Sequence, residues 1–115
     1  MASCLAAAYG KLSGKGRVQM GTFIALLDFT DQGIRNIGDS TFRADRFNEM
    51  ASRRGARIVG QYWTTGSHDG VLILEAPSDE VAASLLLALA AEGNVRTNTL
   101  RAFHWADAKE MISAP

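Results

Sequence analysis

The side chains that could do acid–base or anion chemistry are few in this 115-residue chain, and they cluster around His68 and Asp69. Imidazole and carboxylate are the usual partners in general acid–base work. Adjacent residues on a strand point to opposite faces, however, so these two are not expected to form a dyad within one chain. Asp69 has two readings. Either it organises the hairpin, by capping backbone groups at a strand start or pairing with Arg96 or Arg101, or it acts as a general acid/base. His68 is either a hydrogen-bonded, half-exposed strand histidine or a ligand to a divalent metal or haem iron. The other histidine is His104, past the last strand, and no Cys/His spacing of the zinc type occurs, so no cofactor is expected. Arg96, Thr97, Asn98, Thr99 and Arg101 give the last strand an unusual polarity, suited to binding a carboxylate or phosphate or to an intersubunit ladder. Tyr62 and Trp63 stand on opposite faces of one strand, as core aromatics or as the wall of a pocket. A single cleft near one end of the sheet, beneath the helices, would gather His68, Asp69, Tyr62 and Arg96. It would take a small anionic or aromatic molecule, with Arg96 fixing a carboxylate and His68 moving a proton. No glycine-rich phosphate loop, nucleophile elbow or paired-carboxylate motif is found in the sequence.

The elements that must position these groups alternate between strand and helix patterns. Residues 22–29 (TFIALLDF) are apolar on both alternations, with Phe23, Ala25, Leu27 and Phe29 on one and Ile24 and Leu26 on the other. Residues 30–39 read as a polar connection in which Ile34 and Ile37 share one side of a helical turn. Asp39 or Ser40 caps a helix reaching Arg54, with Phe47, Met50 and Ala51 on its inner stripe and Gly55 at its end. Residues 56–65 and 68–76 read as a hairpin around Gly66-Ser67, closed off by Pro77. Ser78 caps a second helix, with Asp79 and Glu80 in its first turn. Its stripe is Val81, Ala82, Leu85, Leu86 and Leu89, and Gly93 stops it. Residues 95–103 form the last strand, and residues 104–113 have weak helical character suited to packing over an edge. The order β-α-β-β-α-β predicts an α+β, ferredoxin-like sandwich: a four-stranded antiparallel sheet with two helices on one face.

That arrangement leaves the other face of the sheet as a largely apolar slab. Such a face exposes on the order of several hundred Å², which monomers rarely tolerate. Sheet-against-sheet pairing about a two-fold axis would cover it, so a homodimer or higher homo-oligomer is expected.

Composition bounds the function. Hydrophobic residues make up 47% and charged residues 21%, as in one globular domain. Twelve Lys+Arg balance twelve Asp+Glu, so no electrostatic footprint for nucleic acid or an anionic membrane is present. The apolar run at residues 81–91 is too short to span a bilayer, which takes about 20 residues. One cysteine, Cys4, gives no internal disulfide, and a cytoplasmic location is expected. Residues 1–19 carry Lys11, Lys15 and Arg17, no acid and three glycines, and are expected to be a flexible extension. Residues 20–115 are then the folded domain.

Three blocks in one order carry a family resemblance: FTDQGIRNI at residues 29–37, TTGSHDGVLILEAPSDE at 64–80 and GNVRTNTLRAF at 93–103. Together they resemble the GYD-domain family, small stand-alone bacterial and archaeal proteins named for a Gly-Tyr-Asp signature. The resemblance spans residues 20–112. It implies a ferredoxin-like unit that pairs as a dimeric α+β barrel, in a family without a generally established reaction. Gly66-Ser67-His68-Asp69 falls on the signature Gly-x-Tyr-Asp, with His68 in place of tyrosine, so no role of a phenol hydroxyl carries over. Two functions follow as expectations. One is a small oligomeric ligand-binding or interaction module without turnover. The other is a cofactor-light enzyme, resembling the monooxygenases and isomerases of the dimeric α+β barrel type, with His68 and Asp69 as acid/base.

Overall fold

The computed structural model describes residues 20–113. The expected extension at residues 1–19 lies outside them. The chain forms β1 (Gly21–Phe29), α1 (Asp31–Arg35), a 3-10 turn (Ile37–Asp39), α2 (Ser40–Arg53), β2 (Arg57–Trp63), β3 (Gly70–Ala76), α3 (Asp79–Ala91), β4 (Val95–Ala102) and α4 (Trp105–Ser113). The strands make one antiparallel sheet in the order β2-β3-β1-β4, with the first strand central and β2 and β4 on the edges. This is the expected ferredoxin-like α+β fold.

One alternation of each central strand turns toward the helices. Phe23 and Ala25 of β1 and Leu72, Leu74 and Ala76 of β3 are buried there against Phe47 and Ala51 of α2 and Ala82, Leu85 and Leu86 of α3. Met50, Val81 and Leu89 pack on the rim of this core. Both helical stripes therefore face inward as their spacing predicts. The α2 stripe also carries Arg43, four residues before Phe47, and Arg43 is buried.

The helix ends differ in how they are capped. Ser78 accepts the Val81 N–H at 3.1 Å, satisfying one of the free donors of α3. Asp39 makes no such side-chain bond, because the 3-10 turn before α2 already feeds the chain into the helix. Gly55 and Gly93 have φ of +79° and +87°, the left-handed turn that ends a helix.

The connection between β1 and α2 is more ordered than its polarity suggests. Thr30 caps α1 by accepting the Gly33 N–H at 3.1 Å and donates its own hydroxyl to the Gly93 carbonyl at 2.6 Å. Ile34 and Ile37 are exposed; the inner side of this turn is Gly33. A Cβ on Gly33 would lie 1.9 Å from the Asn94 carbonyl oxygen, so the α1 backbone packs directly on the loop after α3.

Several details depart from the sequence pattern. The third strand begins at Gly70 rather than at residue 68, because residues 64–69 close on themselves. The Thr64 N–H donates to the Asp69 carbonyl at 2.9 Å, and the Thr64 hydroxyl to the His68 carbonyl at 2.7 Å. The C-terminal helix α4 forms but does not pack over an edge: none of its residues is buried, and Trp105, Met111 and Ile112 are exposed.

Candidate functional site

The sheet has two sides, and each holds part of the chemistry. Between helices and sheet lies a small cleft of about 50 Å³. Leu27, Phe47, Leu89 and Val95 give it apolar walls, and Gln61, Trp63, Asp69 and Arg43 supply its polar groups. Trp63 and Gln61 reach it because they sit opposite Gly70 and Leu72, on the alternation that faces the helices. The Trp63 indole N–H donates to the Ser40 hydroxyl at 3.2 Å, tying the edge strand to the first turn of α2. One turn further along α2, Arg43 donates from Nη1 to the Asn36 carbonyl at 3.0 Å. Its Nη2 is buried and has no hydrogen-bond partner among the described residues.

Asp69 binds backbone. Its Oδ2 accepts the Phe29 N–H at 2.8 Å, and its own N–H donates to the Leu27 carbonyl at 2.8 Å. The carboxylate thus holds the end of β1 to the hairpin loop, and the expected pairing with Arg96 or Arg101 is not formed. Instead Arg101 stacks over the Phe23 and Phe103 rings, 5.2 and 4.5 Å from their centroids.

On the open side of the sheet, β1 presents Ile24, Leu26 and Asp28, the alternation opposite to Phe23 and Ala25. The His68 Nδ1 lies 3.2 Å from Asp28 Oδ1 and 3.3 Å from Oδ2. This contact is an ion pair when the ring is protonated and a hydrogen bond otherwise. Arg96 stands opposite Asp28 in the β1–β4 register, so it shares that face. The Tyr62 ring lies there too, exposed over Gly60, where an added Cβ would come within 3.2 Å of it.

The single cleft expected for His68, Asp69, Tyr62 and Arg96 is therefore divided. Asp69 lines the space beneath the helices; Tyr62 also borders it, but its ring lies on the open face with the His68 and Arg96 side chains. Strand register sends Tyr62 and Arg96 to the open face, and the loop at residues 64–69 turns His68 toward Asp28 and Asp69 toward Phe29. Among the described residues no group of three or more His, Cys, Asp or Glu side chains could hold a metal ion. No helix of these residues is long and apolar enough to cross a membrane.

Two contributors were missed by residue type alone. Asp28 is the one acid in the apolar run 23–29, and it falls on the Ile24/Leu26 alternation, which is the signal that could have placed it beside the hairpin loop. Arg43 stands at i−4 from Phe47 and i−8 from Ala51, on the inner stripe of α2.

Comparison with known proteins agrees with this architecture. The chain belongs to the GYD-domain family, whose model matches residues 23–112. A Thermus thermophilus protein described as a glutamine synthetase and cystathionine beta-lyase binding protein is 37% identical over 89 residues, covering 76% of this chain and 94% of that one. Among solved structures, the crystal structure of MtbAldR superposes with a TM-score of 0.55 at 14% identity. That match covers 88% of this chain, which spans 66% of the MtbAldR chain, and at such identity the likeness is one of fold.

Proposed function

We propose that this protein is a small interaction module of the cytoplasm, working without a resident cofactor, that pairs with a second copy through its open sheet face and docks a partner enzyme. The observation that carries the proposal is the open face itself. Ile24, Leu26, Val71 and Ile73 are half-exposed neighbours across β1 and β3, and Leu100 and Tyr62 extend the band onto both edge strands. Charged groups bound the band at its two ends, Arg57–Glu75 at one and Asp28–His68 at the other. An apolar centre with a charged rim is the anatomy of a protein interface. Residues 20–115 are the working unit in this reading, with residues 1–19 an appended segment.

The partner class rests on the Thermus relative, which is described as binding glutamine synthetase and cystathionine beta-lyase. The test is direct. The purified protein is immobilised and exposed to glutamine synthetase and cystathionine beta-lyase from its own source. Saturable binding to either enzyme, lost on substituting the charged or apolar groups of one surface, is expected. Absence of binding to both withdraws the partner class.

A second reading, a cofactor-light enzyme, is favoured by one observation, the contact that orients the His68 ring against Asp28. It predicts turnover of a small aromatic or anionic substrate that His68→Gln abolishes.

A further inference from the structure

We infer that the cleft between α2 and the sheet is a binding site for a small organic carboxylate with an apolar tail, and that Arg43 is the residue that holds the carboxylate. This stands apart from whether the chain docks a protein partner, since it concerns the covered side of the sheet. Arg43 is only 9% exposed, yet a single described acceptor, the Asn36 carbonyl, meets its fork of donors. Burying a guanidinium with an N–H left unpaired is costly, more so than for a neutral donor. A side chain placed there needs a compensating acceptor, and a carboxylate matches the planar fork with two parallel bonds.

The surroundings set the rest of the ligand. Leu27, Phe47 and Leu89 make the body of the cleft apolar, which suits a branched or aromatic tail. The space in which the centre of a water-sized sphere can move is about 50 Å³, several times the roughly 10–15 Å³ that one water needs, so the ligand is a small one. The other charged group in the cleft, Asp69, accepts the Phe29 N–H and forms no ion pair with Arg43. Trp63 also lines the cleft, is 48% exposed and bonds to Ser40 of α2, so its fluorescence should report the binding.

The experiment uses the full chain carrying Trp105→Phe, which leaves Trp63 as its only tryptophan, because the sequence has two. It is titrated with 4-methylpentanoate and, separately, with the neutral amide 4-methylpentanamide, following Trp63 fluorescence. The acid is expected to saturate the signal and the amide to bind roughly tenfold more weakly or worse, the loss of one charge-assisted hydrogen-bond pair. Arg43→Met is expected to make acid and amide equal. Nuclear Overhauser contacts from the ligand methyls to the Phe47 ring, in the protein with Arg43 intact, locate the ligand even where that variant does not fold. Equal binding of acid and amide to the protein with Arg43, no saturable binding of the acid, or ligand contacts away from Phe47 would overturn the assignment.

Discussion

Alternate residues of the same two strands meet opposite fates. On β1 and β3, Phe23, Ala25, Leu72 and Leu74 are sealed beneath α2 and α3, while Ile24, Leu26, Val71 and Ile73, one position along, stay half-exposed. The two sets are chemically alike. What separates them is that α2 and α3 cover one side only. The covered side has also drawn in polar groups: Asp69 secures a backbone N–H, and Arg43 bonds the Asn36 carbonyl. The open side keeps its polar groups, Arg57, Glu75, Asp28, His68 and Arg96, at the ends of an apolar band. One side is a core with a cleft in it; the other is an apolar band bounded by charge.

The largest expected effect tests the covered side. Leu72 is fully buried, so Leu72→Ala should lower the unfolding free energy by about 2–5 kcal/mol in urea titration. Because the cavity opens within a single chain, that loss should be the same at every protein concentration. A loss that grows on dilution would mean that the supposed core depends on a second chain, and the contrast between the two sides would fail.

Ile73, the next residue, should behave in the other way. Light scattering at micromolar concentration should give the mass of at least two chains for the wild type. Ile73→Asp should give the mass of one, since an aspartate in the middle of the apolar band would be desolvated by pairing. The unfolding midpoint of the variant should also lose the concentration dependence expected of an oligomer. A wild-type mass of one chain removes the pairing proposal outright, and leaves the open band for a different protein partner.

Much of this division was legible in the sequence, though not its sense. The β-rich run at residues 22–29, apolar on both alternations, and the helical spacing of Phe47/Ala51 and Val81/Leu85/Leu89 marked the elements and their order, and the family resemblance implied the same fold. Which alternation lies under the helices was not legible, because Phe23 and Ile24 are equally apolar. The backbone role open to Asp69 was readable from its place at a strand start. Its bond to Phe29, forty residues away in the chain, depends on β1 and β3 lying side by side. Arg43 was hidden for a different reason. A charged residue on a helix is ordinarily solvated, and only its spacing from Phe47 places it on the inner stripe. The α1 segment, with Gly33 packed on Asn94, was read as a polar connection because its inner surface is backbone and shows no apolar side chain.

Asp69 offers a smaller test of the covered side. Replacing it with alanine leaves the part-buried Phe29 N–H without its acceptor, which should cost about 1–3 kcal/mol of stability. Asp69→Asn retains a carbonyl oxygen in the same place and should recover most of that loss. If alanine and asparagine are equally disruptive, it is the charge of Asp69 and not its bond to β1 that matters, and the case for a chemical role of this residue strengthens.

His68, its neighbour in the chain, should give the smallest effect. Its side chain and that of Asp28 are 37% and 42% exposed, so their contact is screened by solvent, and such pairs contribute up to about 1 kcal/mol. His68→Gln, which keeps a polar side chain without the imidazole charge, should shift the unfolding free energy by no more than that, and by less as salt is raised. The oligomer mass should not change, because the pair stands at the end of the apolar band rather than within it. Adjacent residues would then differ severalfold in what they contribute, on account of the face each one meets. A cost for His68→Gln as large as that for Asp69→Ala, persisting in high salt, would show that the Asp28–His68 contact is shielded from solvent in the assembled protein. The rim of the open face would then have to lie inside the interface.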